Sequence, residues 1–351
     1  MAEYISFQPS DEFQAKAFSG NSSTNAITLA TGFSPQQVWV KKSDGTSEMY
    51  VFDTVRGANY YLSLYETAAQ VNDATSLTSF DANGFTMGSG PYNATGSEYI
   101  SYCWNGGSTS VPSGGATTPS AVNVNTTNGI GVYKWTGTGA TTTIAHGLGA
   151  APKYLIMKNA GSVYNWAASY SNTAWNDYLP RNSYGSTTTA NWIQSTAPTD
   201  TLVYIGTTDI VNESSKDCIL YAFTPIKGFS SMGNFTGNGS ADGPFIYTGF
   251  KPKYVEIKRW DGGSCNWTVW DTTKNTGNQA DWYIYTDDGG SNNGYVDSGG
   301  GSTANNIDIY SNGFKLRTTG SCLNGSGNDM RYLAFADKPI VSSNDIPTVA
   351  R

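Results

Sequence analysis

Thr31-Gly32-Phe33-Ser34-Pro35-Gln36-Gln37-Val38-Trp39-Val40-Lys41 decides how the chain is read, because it is written three times. The second copy is His146-Gly147-Leu148-Gly149-Ala150-Ala151-Pro152-Lys153-Tyr154-Leu155-Ile156-Met157-Lys158. The third is Thr248-Gly249-Phe250-Lys251-Pro252-Lys253-Tyr254-Val255-Glu256-Ile257-Lys258. In each, a Pro precedes a Lys by six residues, with β-formers between. The Pro-to-Pro periods are 117 (35 to 152) and 100 (152 to 252), the size of a domain and too long for a solenoid unit.

Working outward, each copy is preceded by an aromatic and a Gly-rich turn: Phe18-Ser19-Gly20, Trp135-Thr136-Gly137 and Phe235-Thr236-Gly237. An aromatic strand follows, Met49–Thr54 in the first copy and Trp267–Thr272 in the third, looser around Trp166–Tyr170 in the second. Asn83-Gly84 and Asn312-Gly313 signal hairpins, and the second copy, lacking Asn-Gly, is expected to turn near Gly206. Each copy closes on a dense apolar strand, with Asn93 to Trp104, Asn212 to Phe223 and Asn324 to Phe335 at equal spacing.

Composition agrees. The 351 residues include Gly 40, Tyr 23 and Trp 10, which suits short strands and tight turns. The expected fold is all-β: three tandem homologous antiparallel β-sandwich domains of the jelly-roll or lectin-like kind. The boundaries read as an N-terminal arm 1–17, repeats 18–106, 129–228 and 229–340, a Gly/Ser/Thr/Pro linker 107–128, and a tail 341–351 that docks on a neighbour or stays loose. In the arm, Ile5, Phe7 and Pro9 alternate with polar residues. They read either as an edge strand or as an assembly segment docking on another subunit.

Net charge is −7 and the pI near 4.7, which argues against nucleic acid. No apolar run approaches the ~18 residues of a membrane span, and the start lacks the look of a signal peptide. Four cysteines do not make a framework. Cys265 and Cys322 share a repeat and could pair, but free thiols are the expectation.

Candidate chemistry is sparse. The single histidine, His146, exchanges with Thr31 and Thr248 between copies, which points to a turn or surface position and not to a catalytic base. Asp53 and Asp271 recur at one strand end, where bonding to turn amides explains them better than glycosidase chemistry. Asp287 and Asp288 open a Gly/Asn loop with the oxygen ligands calcium uses, without EF-hand spacing. Trp175, Tyr178 and Trp192 in the second repeat, with Trp282 and Tyr283 in the third, lie in the most variable segment and read as candidate carbohydrate-stacking residues. No catalytic residues and no cofactor are expected.

The repeated elements together resemble a family of tailed-phage virion proteins common among marine phages. The resemblance rests on Val38-Trp39-Val40-Lys41, Phe52-Asp53-Thr54-Val55-Arg56-Gly57, Phe80–Thr86, His146–Gly149 with Pro152, Gly237–Pro244, Gly313–Leu316 and the start Tyr4–Asp11. It implies a tail-fibre-like virion component, made in the host cytoplasm, with a lectin-like fold and no defined active site. It also implies other virion proteins as partners, a homo-oligomer (a trimer above all) and contact with host-surface glycans. The other readings are a capsid or tail decoration protein and, last, a carbohydrate-active enzyme.

Overall fold

The computed structural model describes residues 5–171, 175, 177–183, 188–288, 296–297, 305–337, 340–341 and 347–348. The chain is all-β and antiparallel, with helix confined to single turns such as Pro9–Glu12, Asp209–Asn212 and Ser321–Asn324.

The three copies of the opening stretch become the strands Pro35–Lys42, Tyr154–Asn159 and Pro252–Arg259. Each lies between the last strand of its repeat and the strand after its Lys. In the first repeat the sheet order is Phe13–Ser19, Glu98–Asn105, Pro35–Lys42, Met49–Asp53, Tyr60–Ser63, Val71–Asn72. The third repeats it: Ser230–Thr236, Asp329–Ala336, Pro252–Arg259, Thr268–Asp271, Trp282–Tyr285, Val296–Asp297. The second adds one strand, Ala121–Asn125, outside Ile130–Thr136. That strand falls inside the stretch expected to be a linker. Its Val124 also bridges to Ser108, so this segment is tied into the sheet.

A smaller sheet covers each large one. It is three-stranded in the first repeat (Asn25–Thr28, Gly84–Met87, Leu77–Asp81) and the third (Phe245–Tyr247, Gly313–Leu316, Ile307–Tyr310). In the second it is the pair Thr142–Ala145 and Leu202–Ile205. The hairpins of the first and third repeats turn one residue earlier than Asn-Gly suggests. Asp81 pairs Gly84 and Tyr310 pairs Gly313, so the loops are Ala82-Asn83 and Ser311-Asn312. The glycines are needed instead for close approach: a Cβ on Gly84 would stand 2.0 Å from the Ile27 carbonyl oxygen, and one on Gly313 2.1 Å from that of Ile246. Gly206 is not at the matching turn of the second repeat. That turn is Thr199–Leu202, closed by the Thr199 amide on the Leu202 carbonyl, and Gly206 follows the strand.

Strand alternation divides the core in two directions. Val38 and Val40, Leu155 and Met157, and Val255 and Ile257 face their own small sheets and build three separate outer cores. Trp39, Ile156 and Tyr254 face the other way, into one central core common to all three repeats. Phe13, Trp104, Trp166, Tyr221, Trp267 and Phe335 share it. The repeats are therefore not beads on a string; they close around a shared aromatic interior. The N-terminal arm belongs to this interior too. Ile5 and Phe7 pack on it, with Phe7 5.5 Å from Phe229, and Pro9 is buried at the start of its helical turn. Residues 5–12 do not form the expected edge strand, which begins at Phe13; Ile5 and Phe7 are half-buried against this interior.

Cys265 and Cys322 form a disulfide, against the expectation of free thiols, while Cys103 and Cys218 are free and buried. In the tail, Ile340–Val341 pairs with Pro347–Thr348, and its other residues lie outside the described ones. No helix among the described residues is long and apolar enough to cross a membrane.

Candidate functional site

The junctions between repeats hold a set of buried charged groups, and the bonds of the three motif lysines run in one rotational sense. The motif lysines are fully buried. Lys41 donates to the Ser47 carbonyl of its own repeat at 2.7 Å and to that of Asp288 in the third repeat at 3.1 Å. Lys158 donates to Tyr164 and Ser162 in its own repeat at 2.7 and 3.3 Å, and to Thr67 in the first at 2.9 Å. Lys258 donates to Cys265 in its own repeat and to Ser183 in the second at 3.4 Å. First holds third, second holds first, third holds second. Burial pushes Lys158 down to about 7 and Lys41 and Lys258 to about 8.

Other groups follow the same cycle. The Tyr221 hydroxyl of the second repeat donates to Asp53 Oδ2 of the first at 2.7 Å, and Tyr102 of the first to Asp271 Oδ2 of the third at 2.8 Å. Trp166 Nε1 reaches the Ser63 carbonyl at 2.8 Å and Trp267 Nε1 that of Pro180 at 3.4 Å. The remaining tyrosine position is Leu333. That junction carries a buried ion pair instead: Arg181 Nη2 lies 2.6 Å from Glu256 Oε2, its Nη1 donates to Thr286 Oγ1 at 2.6 Å, and its guanidinium stacks 4.3 Å from the Trp267 ring. Burial pushes the Glu256 carboxyl up against the pull of Arg181.

Asp53 and Asp271 also accept the turn amides that follow them, Arg56 in one and Thr273 and Lys274 in the other, as the sequence suggests. Asp53 is further held by Arg56 Nε at 2.6 Å. These bonds commit both carboxylates to structure. His146 is buried, not on the surface. Its Nε2 lies 3.1 Å from the Thr199 carbonyl and its Nδ1 accepts the Leu148 amide at 3.1 Å, so it pins the second repeat's turn. Burial lowers its imidazole below the ordinary value.

Four of the five sequence-assigned stacking residues are buried away from any ligand. Trp175, Tyr178 and Trp192 are buried in the outer core of the second repeat and Tyr283 in that of the third. Trp282 is half-buried with the Lys274 ammonium 4.2 Å over its ring. Loop-like composition misplaced the four buried rings, which pack into the outer cores of the second and third repeats. Asp287 is buried, accepts the Trp267 amide at 2.9 Å and faces Lys258, which leaves it no role as an open calcium ligand. Asp288 contributes its carbonyl to Lys41, and the loop beyond it lies outside the described residues. Among the described residues no three His, Cys, Asp or Glu side chains are placed to hold a metal.

What the sequence reading missed is on the outside of the third small sheet. Phe245 is 46% exposed and Tyr247 68% exposed. The Phe245 ring stands 5.8 Å from that of Tyr310, edge to face. Across the strand from Phe245 is Lys315, bonded at 2.6 Å to Asp242, which Arg317 approaches at 3.5 Å while also holding Asp308 at 2.6 Å. A signal was available. Phe245-Ile246-Tyr247 aligns with Ala26-Ile27-Thr28 and Thr143-Ile144-Ala145, with a shared inward Ile and outward flanks that are aromatic only in the third copy.

Compared with known proteins, residues 8–339 match the model of one family, described as a domain of unknown function (DUF7483). No curated protein and no solved structure gives a significant match.

Proposed function

Because the chain belongs to the DUF7483 family, a family described without an activity, we propose its role from the way it is built: a rigid structural component of a phage particle, exposed as part of a tail fibre or appendage. The observation that carries this reading is the cyclic closure of three homologous repeats through Lys41, Lys158 and Lys258 around one aromatic interior. A single chain supplies the threefold body that fibre proteins otherwise obtain by assembling three copies. Its motif lysines and the Arg181–Glu256 pair are committed to holding the repeats together, which suits a presenting scaffold. In place of the trimer implied by the resemblance, one chain fills the position of a trimer and should sediment as a 37.5 kDa monomer.

A second reading is favoured by the same closure. A pseudo-threefold body also suits a threefold lattice position, as a decoration protein on a capsid or tail would. Immunogold labelling of intact particles from the source culture tests both. Label on tail-end appendages supports the first reading, regular label over the capsid or tube supports the second, and no label on purified particles refutes both.

A further inference from the structure

We propose that the outer face of the third small sheet binds a neutral carbohydrate, with Phe245 and Tyr247 as stacking rings and Asp242, Lys315 and Arg317 as the polar edge. The inference rests on reading the chain as an exposed component, and its test does not require a particle.

The first argument comes from within the chain. At the positions of Phe245 and Tyr247 the sister repeats carry Ala26 and Thr28, and Thr143 and Ala145. Those repeats build equivalent small sheets without the rings, so the scaffold does not need them. Exposed aromatics that folding does not require mark a contact surface.

The second argument is geometric. Residues 245 and 247 project from the same face of one strand, about 6.7 Å apart along it. Both rings are therefore held on a rigid backbone. Gly313 beneath lacks a side chain, and a Cβ there would stand 2.9 Å from Phe245 Cζ, so the ring lies close over the sheet. An aromatic face attracts the weakly positive C–H groups of a pyranose. Beside it, Asp242 has a 79% exposed side chain and is oriented by Lys315 and Arg317, leaving oxygen lone pairs for sugar hydroxyls. Lys315 draws the Asp242 carboxyl below its usual range, so it is an acceptor at neutral pH.

Charge selects the occupant. The cations are already matched by Asp242 and Asp308, and the chain as a whole is at −7. An acidic polymer gains no free cation here and meets net repulsion, whereas a neutral sugar needs only rings and hydroxyl partners.

Affinity electrophoresis of the whole chain in native gels containing laminarin, galactomannan or dextran tests this, with alginate as the acidic comparison. At least one neutral polysaccharide should retard the protein, and the double variant Phe245→Ala/Tyr247→Thr should lose at least tenfold of that retardation. Because it installs the residues of a sister repeat, its circular dichroism and melting should match the parent. Asp242→Ala should weaken retardation several-fold with the rings intact. No retardation by any neutral polymer, retardation by alginate alone, or full retardation of the double variant would overturn the proposal. So would sedimentation of the parent as a dimer that the double variant abolishes, which would make the patch a contact between copies. Any of these can happen while particle labelling succeeds.

Discussion

Asn93, Asn212 and Asn324 are fully buried and do the same work three times. The Asn212 amide donates to Ala140 and Gly206 carbonyls at 2.7 and 2.9 Å, and its oxygen accepts the Thr138 amide at 2.9 Å. Asn324 holds Ser240, Thr318 and Asn238 in the same way, and Asn93 holds Ser23, Gly88 and Asn21. Replacing Asn212 by Ala removes three hydrogen bonds to backbone groups, of which the one to the Gly206 carbonyl is buried, and should cost about 2 kcal/mol in urea-denaturation free energy. The lysines make a pH prediction at the same scale. Their folded pKa values are depressed to about 7 and 8, below the ordinary lysine value. Between those values and about 10.4 the unfolded chain binds more protons. Stability is therefore expected to rise with pH from about 7 to 9.5, the cost of burying the charge being fully felt only below the folded values. Lys158→Met should flatten that rise in melts recorded across the same buffers.

At the scale of elements, the junction carrying Arg181 and Glu256 differs from its sisters. Register places Leu64 at the position of Arg181, and Trp39 and Ile156 at that of Glu256. Arg181→Leu leaves the buried Glu256 carboxyl without its cation, with only the Tyr254 hydroxyl at 3.0 Å still donating to that oxygen, and should cost about 3 kcal/mol. Adding Glu256→Ile should recover most of the loss, a sign of coupling readable in a double-mutant cycle. The disulfide closes a sequence separation of 57 residues in the third repeat. Its reduction should lower stability by roughly 4 kcal/mol, seen as an earlier unfolding midpoint in dithiothreitol. The strands themselves were legible, because alternation and the Pro-to-Lys repeat report local geometry: the dense apolar strands that close each repeat do lie inside their sheets. The lysine partners were not legible, since Thr67, Ser183 and Asp288 are backbone acceptors and any residue type supplies a carbonyl. The ligand residues misled for a related reason. Trp175 and Trp192 sit among Asn, Ser and Thr, and composition does not tell which way a ring points. Phe245 and Tyr247 could have been found, but only by comparing the copies strand by strand.

For the whole molecule, the central core sets the cooperativity. A single repeat would expose its share of Trp39, Trp104, Tyr154, Trp166 and Trp267, rings that are buried only where the three repeats meet. Differential scanning calorimetry should therefore show one transition for the oxidised chain. A fragment of residues 1–106 should lack fixed near-ultraviolet dichroism. Three resolved transitions, or a natively folded fragment, would contradict a common interior.

Fusion of the repeats into one polypeptide has a further effect. In a ring of three identical subunits every substitution appears three times, so a bulky or sticky change on the outside is tripled whether or not that helps. Here the inner faces must stay mutually matched, but each outer sheet is encoded once. One face can acquire Phe245 and Tyr247 while its sisters keep Ala26, Thr28, Thr143 and Ala145. The molecule keeps mutually matched inner faces and yet has one distinguishable outer side, so a contact made there fixes which repeat faces the partner.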